Sequence, residues 1–152
     1  MTVAIVDFRP DHAAAWARLN TAWLVEGGFA IEAKDRLAIS DPQGVFLNKG
    51  GRIFIAEKDR EPVGCCAMVS TDDGVEVCKM TVTPAARGLG LARRLLDACE
   101  AVARETGAVR LYLETNSALK PAIALYESAG FVHLPPQPTP YARADVFMEK
   151  RL

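Results

Sequence analysis

Between Val82 and Leu96 the chain reads Val-Thr-Pro-Ala-Ala-Arg-Gly-Leu-Gly-Leu-Ala-Arg-Arg-Leu-Leu, a basic residue and two glycines just ahead of a helix-forming run. A strand that turns through glycine into a helix brings the unpaired amides of Leu89 to Ala92 together at the positive end of the helix dipole, which suits a pyrophosphate. Small residues at Gly88, Gly90 and Ala92 clear the approach, and Arg87 adds a charged donor at the mouth. A dinucleotide fingerprint wants Gly or Ala where Arg93 stands and an acid near Arg110, and a Walker-type loop wants Gly-Lys-Ser/Thr. Neither reading survives. A second candidate is Glu76, a lone acid in the apolar run Val75–Val82. Burial there raises a carboxyl pKa toward that of a useful base; the structural alternatives are a partner for Lys79 or Arg110, or a solvated strand end beside Asp72-Asp73-Gly74. Cys65, Cys66, Cys78 and Cys99 show no metal-site or redox spacing, and His12 and His133 are remote from them in sequence. Buried, reduced cysteine and no metal centre are expected, with ordinary surface roles for both histidines.

The elements that must hold these residues follow from periodicity and turn signals. Val3–Phe8 reads as a strand, and Pro10-Asp11 opens a helix carrying Trp16, Leu19, Trp23 and Leu24, stopped at Gly27-Gly28. Both tryptophans read as core. A short helix is expected over Ala33–Ile39, closed by Asp41-Pro42. Three strands separated by turns, Ile53–Glu57, Val63–Ser70 and Val75–Val82, form an antiparallel meander. Leu91, Leu95, Leu96, Cys99, Val102 and Ala103 mark one face of a helix ending at Gly107, and the strand Val109–Leu113 follows. Because a full helix lies between them, Val75–Val82 and Val109–Leu113 should be parallel and joined by a right-handed crossover. A helix over Ala122–Ala129 and a strand pair, Phe131–Leu134 and Asp145–Glu149, around a proline-rich loop complete the chain.

At 152 residues, half of them hydrophobic, one domain with one core is expected over residues 1–152. A net charge of -1 gives no global attraction for nucleic acid or an anionic membrane. No run reaches the roughly 18 apolar residues of a membrane span, and the N-terminus lacks a signal-peptide pattern. A cytoplasmic protein is the expectation.

Arg87-x-x-Gly90-x-Ala92 resembles the acetyl-coenzyme A signature of the GNAT superfamily of N-acetyltransferases. The similarity runs from residue 63 to 149, through Glu76-Val77-Cys78-Lys79-Met80-Thr81-Val82, Leu113-Glu114-Thr115-Asn116 and Ala122-Ile-Ala-Leu-Tyr-Glu-Ser-Ala-Gly-Phe131. It implies an α+β fold: a mixed, mostly antiparallel sheet of about six to seven strands with flanking helices. Its parallel central pair splays, beside a bulge, to admit the pantetheine arm. The activity implied is transfer of acetyl from acetyl-CoA to a primary amine by direct attack in a ternary complex, without a metal. The resemblance assigns Met80 N–H as oxyanion donor, Met80 and Val82 as cofactor-binding amides, Asn116 as a cofactor-side amide, and Tyr126 as the acid that protonates the departing sulfur; by the residues alone Asn116 also reads as an Asx turn into the helix and Tyr126 as a packing aromatic on the stripe Ile123, Tyr126, Ala129. Glu76 becomes the candidate base, with Glu114 second. Cofactor contacts are expected from Arg87, Gly88, Leu89, Gly90, Leu91, Ala92 and Arg93. The amine should enter between the first-helix region and the proline-rich loop, where Glu26, Glu32, Asp35, Tyr141, Arg143 and Asp145 stand; acids there would suit a cationic amine, Arg143 a carboxylate, and all read equally well as solvated surface. Homodimers are common in the resembling family. The alternative is a non-catalytic acyl-CoA-binding sensor or interaction module of the same fold.

Overall fold

The computed structural model describes residues 1–152. Seven strands form one sheet: β1 (Val3–Asp7), β2 (Arg52–Lys58), β3 (Glu61–Ser70), β4 (Val75–Val82), β5 (Arg110–Thr115), β6 (Val132–His133) and β7 (Val146–Arg151). Their spatial order is β1-β2-β3-β4-β5-β7-β6, and β4–β5 is the parallel pair in an otherwise antiparallel sheet. The expected crossover is made by α4 (Leu91–Glu105), whose Leu91, Leu95, Leu96, Cys99 and Ala103 are buried. The remaining helices are α1 (Ala13–Glu26), α2 (Ala33–Ser40), the single turn α3 (Pro42–Val45) and α5 (Lys120–Ser128). No helix is long and apolar enough to cross a membrane.

Side-chain alternation along the strands divides the interior in two, because successive residues point to opposite faces. Val75 and Val77 of β4 and Leu111 and Leu113 of β5 join the larger core with α4, Tyr126 of α5 and Met148. Ile53, Ile55, Cys65 and Ala67 face the other way, onto Trp16, Leu19 and Ala38 of α1 and α2. One sheet therefore separates two cores, where the sequence led us to expect a single one. His12 is also buried rather than exposed, at 2 %. Its Nδ1 accepts from the Arg9 amide at 2.9 Å and its Nε2 meets Glu57 at 3.0 Å, pinning the entry to α1 against β2.

Two irregularities in the sheet open the site. β4 and β5 pair only at Val75–Leu111 and Glu76–Tyr112, then diverge. Opposite, the β3–β4 register slips: Cys65 faces Thr81 and Ala67 faces Cys78, so Lys79 and Met80 together oppose Cys66. The extra residue is a β-bulge, taken up by Lys79 at φ 54°, an uncommon conformation for a residue with a side chain. The consequence is directional. Cys78 packs toward the α1–α2 core, and Lys79, instead of alternating away, reaches Asp35 of α2; Met80 packs with the opposite core.

Candidate active site

A cleft passes through the sheet where β4 and β5 separate. From the α4–α5 side it is lined by Met80, Leu113, Ala122 and Tyr126; from the α1–α2 side by Glu76, Glu114, Lys79, Trp23, Tyr141 and Arg143. Trp23 is thus split from Trp16: Trp16 is fully buried, donating from its indole nitrogen to the Ala38 carbonyl at 2.9 Å, whereas Trp23 forms cleft wall.

Tyr126 lies on the α5 face turned to the sheet, 7 % exposed, its ring 5.9 Å from that of Phe131. No protein group hydrogen-bonds its hydroxyl, which burial, with Cys66 and Cys99 nearby, keeps protonated well beyond the ordinary tyrosine range. Glu76 and Glu114 share one face of adjacent strands. Glu114 accepts from the Tyr112 hydroxyl at 2.9 Å and the Thr139 hydroxyl at 2.6 Å. Glu76 accepts from nothing. The cations that sequence offered it are engaged elsewhere, Lys79 with Asp35 at 2.8 Å and Arg110 with Glu149 at 2.7 Å and Asp73 at 3.2 Å. Burial, reinforced by the Glu114 charge, lifts Glu76 to about 7.

The loop after β4 turns through Pro84–Ala86 into α4. Gly90 is the helix cap at φ 75°, Gly88 has φ 82°, and no side chain caps the first amides of α4. A Cβ built at either glycine meets no protein atom within 4 Å, so what these positions require is the left-handed backbone, and the space before them is open. Arg87 holds the Val82 carbonyl through Nε at 3.2 Å and Glu26 through both terminal nitrogens at 3.0 and 3.1 Å. Leu91 is buried, while Leu89 is exposed and Arg93 pairs with Asp97 along the helix. Asn116 lines the cleft; its Nδ2 donates to the Arg143 carbonyl at 2.7 Å and its Oδ1 accepts from the Ala118 amide at 2.8 Å, an Asx turn leading toward α5.

The segments flanking the α1–α2 side meet in an ion cluster. Asp35, 0 % exposed, accepts from Lys79 Nζ at 2.8 Å, from both terminal nitrogens of Arg143 at 2.7 Å, and from the Glu32 amide at 2.9 Å. Burial alone would raise its pKa, but these donors prevail and hold it at about 2. The guanidinium carbon of Arg143 lies over the rings of Tyr141 and Trp23, 4.4 and 5.2 Å from their centroids. Of the residues read as surface, Glu32, Asp35, Tyr141 and Arg143 belong to this cluster, whereas Glu26 pairs with Arg87 and Asp145 holds Ser117. Lys79 was not anticipated here, because nothing in sequence marks a lysine for a bulge.

A sequence model of the Acetyltransferase (GNAT) family matches residues 10–131. The chain belongs to the GNAT acetyltransferase family. It is an acetyl-CoA-dependent N-acetyltransferase. The Escherichia coli K12 N-acetyltransferase YjgM, itself uncharacterized, is 36% identical over 119 residues, 72% of this chain and 71% of that one. Among solved structures, a GNAT-family acetyltransferase from Staphylococcus aureus Mu50 superposes with a TM-score of 0.89 at 20% identity, covering 99% of each chain. The PaiA N-acetyltransferase of Thermoplasma acidophilum, solved in complex with coenzyme A, gives 0.81 at 17% identity over 100% of each chain. The last two likenesses concern the fold.

Proposed function

We propose that this GNAT acetyltransferase moves acetyl directly from acetyl-CoA to a primary amine held in the same cleft, with Glu76 as base and Tyr126 as acid. The observation that carries the reading is the pairing of two unpartnered groups on opposite sides of the splayed strands: a carboxylate that ionises near neutrality and a phenol that stays protonated. The residues fit the cosubstrate. Open space before Gly88 and Gly90, with uncapped amides behind it, suits a pyrophosphate at Arg87, Gly88, Leu89, Gly90, Leu91, Ala92 and Arg93. Strand edges left unpaired beyond Glu76 suit an extended amide-bearing arm, which Met80 and Val82 would hold through their backbones. Bound there, acetyl-CoA supplies an activated acyl group.

Glu76 takes a proton from the incoming ammonium, directly or through water, because no internal partner competes for its oxygens. Glu114 is held by two hydroxyls and acts on Glu76 through its charge. The Met80 amide, beside the bulge, stabilises negative charge on the acyl oxygen. Tyr126 gives its proton to the departing sulfur. Asn116 keeps the Arg143 loop against the end of β5 and borders the cosubstrate arm. A covalent route through Cys78 is disfavoured: burial pushes its thiol far up, and no histidine touches it. Thiol release from acetyl-CoA across a panel of amines tests the reading. Release that depends on a particular amine is expected; tight CoA binding with no amine-dependent release would favour a non-catalytic module.

A further inference from the structure

The α1–α2 side of the cleft has two electrically distinct ends. At one, Glu76 and Glu114 face the opening without a cation bonded to either; the contacts to Glu114 are neutral hydroxyls. At the other, Lys79 and Arg143 line the wall at 6 % and 13 % side-chain exposure, and both depend on one fully buried carboxylate, Asp35. That carboxylate already accepts four hydrogen bonds and has no further capacity. The second acid, Glu32, stands 3.4 Å from Arg143 and is itself bound by the Ala142 amide. Donors remain. Lys79 Nζ reaches only Asp35 and the Tyr141 hydroxyl, leaving one of its three protons, and Arg143 Nε–H meets no acceptor. The rings of Tyr141 and Trp23 lie 4.4 and 5.2 Å from the Arg143 guanidinium carbon and narrow the approach to it, while the Nε–H edge carries the unmet donor.

Resting on the acetyl-transfer reading above, we propose that the acceptor is a zwitterion, an amine bearing its own carboxylate. Its ammonium enters between Glu76 and Glu114, and its carboxylate docks on Lys79 and the edge of Arg143, against the rings of Trp23 and Tyr141. A carboxylate-free amine would leave those cations with unmet donors in a desolvated wall, and a ligand without ammonium would meet two acids. A free amino acid and a short peptide both present this chemistry. Charge-assisted hydrogen bonds of about 1.5–3 kcal/mol each correspond to roughly ten- to a hundredfold in kcat/KM.

The test is kcat/KM for free amino acids and dipeptides, each against its own C-terminal amide, with tyramine and spermidine as carboxylate-free amines. The best acid is expected to exceed its amide by about tenfold or more. Whether that acid is an amino acid or a dipeptide fixes the length of the acceptor. Amides or spermidine turned over as well as the best acid would overturn the carboxylate site and leave acetyl transfer standing; no amine-dependent thiol release at all would remove both. In Arg143→Gln the acid-to-amide ratio should fall toward one through a raised KM for the acid. An unchanged ratio in a variant that melts cooperatively would overturn the assignment, and if the variant does not fold, the wild-type ratio decides.

Discussion

Tyr126 and Glu76 line the cleft without a hydrogen-bond partner, whereas Lys79, Glu114, Asn116, Tyr141 and Arg143 are all engaged. Tyr126→Phe keeps the ring against Phe131 and removes only the proton donor. Turnover is expected to fall about 10²–10⁴-fold, toward the lower end because a thiolate of pKa near 8.5 leaves tolerably unaided. Affinity for acetyl-CoA should change little, and wild-type turnover in the Phe variant would return Tyr126 to a packing role. Since Tyr126 stays protonated past the ordinary tyrosine range, the wild-type profile should show no alkaline fall from it below about pH 10. As the proposed base, Glu76 would set the acidic limb: with its carboxyl at about 7, activity should rise as pH rises through that value, and Glu76→Gln should remove the limb along with most of the rate. Stability runs the other way. A carboxyl whose pKa goes from 4.5 unfolded to about 7 folded costs nothing below pH 4.5 and destabilises increasingly up to pH 7. Glu76→Gln should therefore raise the unfolding free energy at pH 8 by about 3 kcal/mol and leave it unchanged near pH 4, which urea titrations at both pH values would check. Sequence left Glu76 open between base and ion-pair partner for a physical reason. Which anion claims Lys79 or Arg110 depends on Asp35 and Glu149, and no local pattern carries contacts 44 and 39 residues apart.

At the level of elements, the glycine loop before α4, the proposed phosphate site, was readable because its requirement is local. Glycine at two positions with φ 82° and 75°, followed by a 3.6-residue apolar period, specifies a turn into a helix whatever surrounds it. Because a Cβ at Gly90 meets no protein atom, a substitution there separates two effects that a clash would confuse. Gly90→Val should destabilise by about 1–2 kcal/mol, the penalty for a left-handed residue with a side chain. It should raise the KM for acetyl-CoA far more than that for the amine. Equal increases in both constants would point to misfolding instead. Strand boundaries were less well defined by sequence. β5 starts at Arg110 rather than Val109 and runs to Thr115, and β7 runs to Arg151, because pairing from Arg110–Arg151 to Thr115–Val146 extends both past their apolar segments. The bulge in β4 had no signal of its own. Lysine seldom adopts φ 54°, and the conformation is held by contacts from Lys79 to α2 and to the loop between β6 and β7. Only the resemblance led us to expect a bulge in this strand, and nothing indicated the lysine's role.

On the scale of the whole molecule, the cleft exists because one sheet carries a core on each face and two of its strands part between them, so the two proposed proton-transfer groups approach from opposite sides. What closes the α1–α2 side of the cleft, the proposed acceptor side, is a joint among α2, β4 and the loop after β6, made by Asp35, Lys79 and Arg143 from positions 44 and 108 residues apart. Asp35 is its centre. In sequence it stands in a weakly patterned stretch and reads as an amine-side acid or as solvated surface, since burial at 0 % is a property of the assembled joint. Asp35→Asn keeps the shape but leaves two poorly exposed cations facing a neutral amide. Breaking a buried pair in this way typically costs about 3–5 kcal/mol, and the loss should appear as a lower urea midpoint at pH 7. The pH dependence gives an internal control. A carboxyl held at about 2 against 3.8 in the unfolded chain contributes stability that is complete above pH 3.8 and is lost as pH falls through 2, so wild type and variant should converge at that end. Kinetically, the amine KM should rise more than the acetyl-CoA KM, because the joint borders the proposed acceptor wall and not the proposed phosphate loop. A variant with the wild-type midpoint at pH 7 would mean that Lys79 and Arg143 find other anions or water, and that the acceptor side does not depend on this joint.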